Sequence, residues 1–344
     1  MPAAAECKHG ASAGPPDALL RVRDLRTWFP ASRRLLGASR RHIRAVDGVS
    51  FDVQPGGAFG LIGESGCGKS TLARTILRLI PATSGEIRFE GVDLRRAPPP
   101  QLRALRRRMQ VVFQDPAGSL NPRLRVEQIL SEGLEAHRLG TRAQRRDKAA
   151  ELLGRVGLSA ADLERRPHEF SGGQRQRIGI ARALTLDPSL VICDEPVSAL
   201  DVSIQAQILN LLADLRRERG LTYLFISHDL GVVRVFCDQV AVMYLGRIVE
   251  QGAAEDVLAA PAHPYTQALL AAAPRPDPAL RTSLTVLPGE PPSPSDPPSG
   301  CAFHPRCPLA IERCRREAPE LKGGAHRVAC HLAEGGRMAK QSSS

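Results

Sequence analysis

The apolar run Phe59-Gly60-Leu61-Ile62 leads straight into Gly63-Glu64-Ser65-Gly66-Cys67-Gly68-Lys69-Ser70-Thr71, and the helix-forming residues Leu72–Leu79 follow. No other stretch limits the fold so tightly. Three glycines let the backbone curl until its N–H groups face one anion, and the helix behind them adds its positive end to the same point. A strand, such a loop and a helix in that order belong to a parallel sheet covered by helices, the α/β class. The alternative is a Gly-rich turn that contains a lysine by accident; the flanking strand and helix argue against it. Within the loop, Lys69 is placed to reach the β- and γ-phosphates of a nucleotide, and Ser70 to offer its hydroxyl to Mg²⁺.

The rest of the chain continues the alternation. Apolar segments at Met109–Phe113, Leu190–Cys193, Leu221–Ile226 and Val240–Tyr244 predict buried strands beside Ala58–Ile62. An Arg-rich helical stretch, Val126 to Arg166, interrupts the rhythm. It marks an inserted helical subdomain over about residues 115–175. The sequence divides into a disordered leader at 1–18, an α/β domain at 19–260, an extension at 261–333 and a disordered tail at 334–344. The extension opens on a proline-rich linker, Pro274 to Pro298, and then carries four cysteines. At 344 residues with 42% apolar content, the chain has the material for one large core and an appendage.

A formal charge of +11 favours phosphate ligands, nucleic acid or an anionic membrane face. The arginine groups, such as Arg106–Arg108 and Arg145–Arg146, read first as solvated faces. No aromatics interleave them as a single-strand nucleic-acid groove requires. The N-terminus lacks a signal-peptide apolar stretch, and runs such as Val240–Leu245 are far too short to span a bilayer. Any membrane role is therefore exercised through a partner.

Four further strand ends and helix tips carry chemistry. Leu190-Val191-Ile192-Cys193 ends on Asp194 and Glu195. Asp194 fits a second Mg²⁺ anchor, and Glu195, one residue on, is placed to polarise an attacking water. Gln114 follows one strand and His228 another. In a parallel sheet, ligands gather at the carboxyl ends of strands, so Lys69, Gln114, Asp194–Glu195 and His228 point to one γ-phosphate. Ser171-Gly172-Gly173-Gln174 does not belong to that set. It opens an amphipathic helix, Arg175–Leu184, and so forms a second anion site on a different helix. Two phosphate-binding elements for one nucleotide imply a head-to-tail pair of chains, each ATP held between the loop of one and the Ser-Gly-Gly of the other.

In order and spacing, Gly63–Thr71, Gln114, Phe170–Gln174, Asp194–Glu195, Ser198–Asp201 and His228 resemble the motifs of ABC-transporter ATPases, over about Leu19 to Gln251. The resemblance implies a P-loop NTPase with a RecA-like core, an antiparallel β subdomain and a helical signature subdomain. It implies that Gln114 links the nucleotide to membrane subunits and helps hold Mg²⁺. It further implies that Asp201 couples the two sites, that His228 contacts the γ-phosphate, and that an aromatic, Phe29 or the adjacent Trp28, stacks on adenine.

His263-Pro264-Tyr265-Thr266-Gln267, Pro288-Gly289-Glu290 and Cys301-Ala302-Phe303-His304-Pro305-Arg306-Cys307 are similar to the tail of oligopeptide/dipeptide importer ATPases, of the second-subunit type. That likeness implies a second, similar ATPase subunit (a heterodimer, with a homodimer as the alternative), two permease subunits and an extracytoplasmic peptide-binding protein. It implies a peripheral place on the cytoplasmic face of the inner membrane. Nickel, glutathione and oligosaccharide importers share the tail. Cys301, Cys307, Cys314 and Cys330 resemble the segment that binds a [4Fe–4S] cluster in some members; zinc, helped by His304 or His331, is a weaker alternative, and reduced thiols without a ligand are the plain one. A soluble ATPase acting on DNA or ribosomes is the reading from another class. The short spacing between phosphate loop and signature, the missing heptads and the single cassette argue against it, and no nucleic-acid partner is expected.

Overall fold

The computed structural model describes residues 18–31, 42–272, 289–334 and 337–338. Residues 1–17, 32–41, 273–288, 335–336 and 339–344 lie outside them. In chain order the elements are β1 (Leu20–Pro30), β2 (His42–Val53), β3 (Ala58–Ile62), α1 (Lys69–Ile76), β4 (Ser84–Phe89), β5 (Val92–Asp93), α2 (Pro99–Arg108) and β6 (Met109–Val112). Helices α3 (Pro116–Ser119), α4 (Val126–Ala136), α5 (Arg142–Arg155) and α6 (Gly172–Leu184) follow. Then come β7 (Leu190–Asp194), α7 (Val202–Arg219), β8 (Thr222–Ser227), α8 (Leu230–Phe236), β9 (Gln239–Tyr244), β10 (Arg247–Ala253), α9 (Ala254–Ala259) and α10 (Pro264–Ala272). The last segment holds α11 (Glu312–Arg316), β11 (Lys322–Gly323), β12 (Arg327–Val328), β13 (Ala333–Glu334) and β14 (Arg337–Met338).

The central sheet runs β11-β12-β10-β9-β3-β8-β7-β6. Its heart, β9-β3-β8-β7-β6, is parallel, and β10 and β12 add antiparallel edges. A second, antiparallel sheet, β2-β1-β4-β5, supplies the β subdomain. Side chains alternate along each parallel strand and so feed two cores. Tyr223, Phe225, Val191 and Cys193 enter the core beneath the helical subdomain. Leu224, Ile226, Leu190 and Ile192 enter the core shared with the antiparallel sheet. The strands expected from apolar runs are the strands observed, within a residue or two.

The extension departs from its expected character. Where the sequence reads as an extended linker up to Pro298, the described part from Gly289 lies against the domain, and Arg44 N–H donates to the Pro294 carbonyl at 3.0 Å. Where a frayed tail is expected from Glu334, β13 and β14 form a short antiparallel ribbon. Glu250, wholly buried in β10, explains part of the docking. Its carboxylate accepts the backbone N–H groups of Ala262 and His263 and contacts His326 Nε2, tying two tail segments to the sheet. Among the described residues no helix is long and apolar enough to cross a membrane.

This anchor is acid-sensitive. His263 is 1% exposed, and its Nδ1 accepts the Tyr265 N–H at 3.0 Å, so the neutral ring is the folded form. Burial pushes its pKa down from 6.5 to about 3. Below 6.5 the unfolded chain takes a proton that the folded chain refuses. The histidine's contribution is therefore complete above that pH and fades as pH falls towards 3, by roughly 1.4 kcal/mol per pH unit. Urea unfolding at about pH 7.5 and about pH 5.5 should show this loss, and H263N, whose amide oxygen can accept the same N–H without titrating, should show a flatter dependence.

Candidate nucleotide site

The loop between β3 and α1 lines a cleft of about 570 Å³, together with Gln114, Glu195 and His228. The carboxyl ends of β3, β6, β7 and β8 thus meet at one place, which a parallel sheet with these connections produces automatically. Gly68 sits at φ 109° as the N-cap of α1, and a Cβ there would collide with the Ala45 carbonyl. Only glycine lets the loop close against β2. Lys69, 4% exposed, turns its ammonium back to donate to the Gly63 and Glu64 carbonyls at 2.7 and 2.9 Å. Ser65, Gly66, Cys67, Ser70 and Thr71 line the same cleft. Burial pushes the Cys67 thiol up, against the pull of Lys69, so it is a packing group and not a nucleophile.

Ser70 Oγ donates to Asp194 Oδ1 at 3.0 Å. Burial raises the Asp194 carboxyl above its usual range, the Ser70 hydroxyl opposing and the neighbouring Glu195 charge adding to it. A carboxylate in that position gains from a cation beside it. Hydroxyl, carboxylate and amide oxygens are hard donors suited to Mg²⁺, which keeps waters and phosphate oxygens as its other ligands. Ser70 and Asp194 would hold that ion, with Gln114 across the cleft.

Glu195 takes φ 49°, an unusual value for a residue with a side chain, as the chain leaves β7. Its N–H donates to the Ile226 carbonyl at 3.0 Å, which pins the turn to β8. The carboxylate is thereby aimed into the cleft. Its Oε2 accepts from Gln114 Nε2 at 2.9 Å and lies 3.1 Å from His228 Nδ1. Three residues expected from three separate strand ends form one hydrogen-bonded group.

The Ser-Gly-Gly element lies elsewhere. Ser171 is exposed, caps α6 through the Gln174 N–H at 3.3 Å, and does not line the cleft. A Cβ on Gly173 would stand 2.7 Å from an Ile204 methyl, so glycine lets α6 pack on the start of α7. Asp201, the exposed N-cap of α7, is carried to the same edge by this packing.

Two expectations find no support in this geometry. Phe29 is not among the residues lining the cleft, whose wall on that side is Ile43, Arg44 and Ala45 of β2. Trp28 lines an adjoining cavity of about 430 Å³, with the Arg44 guanidinium 5.1 Å from its ring. A metal centre in the tail is not supported either. Among the described residues no group of three or more His, Cys, Asp and Glu is arranged to hold a metal ion. Burial raises the thiols of Cys301 (to about 11), Cys307 and Cys330, and the neighbouring tail cysteines add to it. His304 Nδ1 and His331 Nε2 meet the backbone carbonyls of Cys301 and Glu317. Missed altogether from the sequence were Pro294, Leu245 and Arg44 as cleft residues; no motif announces them.

Comparison with known proteins agrees with this geometry. Residues 46–198 match the family described as ABC transporter, and residues 249–314 the oligopeptide/dipeptide transporter C-terminal region. A probable peptide ABC transporter ATP-binding protein, y4tS of Sinorhizobium fredii, is 55% identical over 318 residues, covering 92% of this chain and 90% of that protein. The chain belongs to the ABC transporter ATP-binding proteins. The dipeptide transport ATP-binding protein DppF of Escherichia coli is 50% identical, covering 91% of this chain and 93% of its own. A dimeric ATP-binding cassette, MJ0796, solved in a post-hydrolysis state with ADP and phosphate, superposes with TM-score 0.60 at 27% identity, over 68% of this chain and 98% of that one. As a family member this protein binds ATP with Mg²⁺ and couples its hydrolysis to transport.

Proposed function

We propose that this protein energises an importer of di- and oligopeptides from the cytoplasmic face of the inner membrane. It does so as one of two ATPase subunits, docked through a groove near Gln114 on two permease subunits that a peptide-binding protein feeds from outside. The convergence of Lys69, the Ser70–Asp194 pair and the Gln114–Glu195–His228 group on one cleft carries this reading. Residues 19–260 form the ATPase, with the helical subdomain at about 115–175, and residues 261–333 the extension.

In this mechanism Lys69 and the loop N–H groups hold the β- and γ-phosphates. Mg²⁺, when bound at Ser70 and Asp194, neutralises the charge that develops on them. Glu195 draws a proton from the attacking water while Gln114 and His228 fix its direction. Ser171–Gln174 close over the γ-phosphate of the companion subunit, and Asp201 links the two sites. The exposure of Ser171 on an edge away from its own cleft supports that arrangement. Peptide as cargo rests on the matched C-terminal region and on the names of the relatives. No metal centre at the tail cysteines enters this reading.

Phosphate release from the assembled transporter in vesicles tests it. Binding protein loaded with di- or oligopeptides should stimulate hydrolysis. Stimulation by nickel, glutathione or oligosaccharide and not by peptide would reassign the cargo.

A further inference from the structure

Glu64, the second residue of the phosphate-binding loop, is held at three points. Its carbonyl accepts the Lys69 ammonium at 2.9 Å, within the loop itself. Its N–H donates to the Tyr265 hydroxyl at 2.8 Å, and its carboxylate takes both arms of the Arg306 guanidinium at 2.8 and 3.1 Å. Two of the three holds thus come from beyond residue 260, across as many as 242 positions of sequence.

The tail residues that reach Glu64 stand on a firm seat. Tyr244, at the end of β9, packs its ring 4.7 Å from that of Tyr265 and 5.2 Å from that of Phe303, which is 5.4 Å from Tyr265. Phe303 and Tyr265 are fully buried, and the Arg306 side chain is only 5% exposed. A planar fork on a carboxylate fixes direction as well as charge, which a lysine cannot do. Without the guanidinium, the Glu64 carboxylate would stand unneutralised beside the place where phosphates bind, and the loop would lose a constraint on its shape.

We infer that the C-terminal extension is a strut of the phosphate-binding loop, with Arg306 the positioning residue that keeps Glu64, and through it the loop, in the form that receives a triphosphate. The inference rests on the ATPase reading. It adds that the tail sets nucleotide affinity, beyond any part it has in folding.

The test measures binding of a fluorescent ATP analogue with Mg²⁺ to the full-length chain, steady-state kcat and KM, and the thermal midpoint. R306Q should weaken ATP binding about tenfold and raise KM in step, with kcat held within about threefold. R306K, which keeps the charge and loses the fork, should fall between R306Q and the native chain. E64Q should also weaken binding, and because both residues act through one contact, E64Q/R306Q should bind no worse than R306Q alone. A folded R306Q with native ATP affinity and only a lowered thermal midpoint would overturn the strut. So would losses that multiply in the double variant. Should R306Q fail to fold, R306K and E64Q carry the same comparison, and native affinity in both overturns the inference. A native chain that binds no ATP would instead sink the ATPase reading itself.

Discussion

Glu195→Gln lowers kcat by roughly 10²- to 10⁴-fold while ATP binds as tightly as to the native chain. The amide has the shape of the carboxylate, so with its oxygen in the place of Oε2 it still accepts from Gln114, at 2.9 Å in the native chain, and stays beside His228 Nδ1, at 3.1 Å. The turn at φ 49° is fixed by the backbone bond to Ile226 and does not depend on the side-chain charge. Only the capacity to take a proton is lost. Single-turnover phosphate release against equilibrium ATP binding separates the two effects. Hydrolysis within a fewfold of normal would remove Glu195 from its role as activator.

Lys69→Ala abolishes ATP binding at ordinary concentrations. Charge-assisted hydrogen bonds to phosphate contribute up to about 3 kcal/mol, which corresponds to about a hundredfold in Kd. The loop itself also suffers. The ammonium donates to two carbonyls, of Gly63 and Glu64, and its removal leaves the Gly63 carbonyl without that donor in a buried setting. Calorimetric titration with MgATP reads the loss directly, and a K69A chain with near-native Kd would contradict the assignment. The two variants differ in kind: E195Q binds and does not turn over, whereas K69A does not bind.

Much of this site was legible in the sequence because its signals are local. Residues 63–71 carry strand end, glycine turns, lysine and helix start within a few positions. Asp194 and Glu195 end an apolar run whose alternation identifies it as a buried strand. Ser171–Gln174 read from the sequence as the opening of a helix, and Ser171 caps that helix in the structure. What stayed hidden depends on long-range packing. Pro294 becomes a cleft residue because its carbonyl meets Arg44, and Arg306 reaches Glu64 across the whole ATPase domain. Proline content alone reads as a linker, and a tail of charged and small residues gives no periodicity to say where it docks. Which of Phe29 and Trp28 comes nearer the cleft depends on the pairing of β1 with β2, whose register shifts between Thr27 and Trp28.

The shared grip on one nucleotide is most directly tested by sedimentation of the E195Q chain with saturating MgATP, alone and with its companion ATPase subunit. A two-subunit species that forms with ATP and is lost when Ser171 is also replaced by Arg is the predicted result. A single-subunit species under both conditions, or a pair indifferent to S171R, would contradict it.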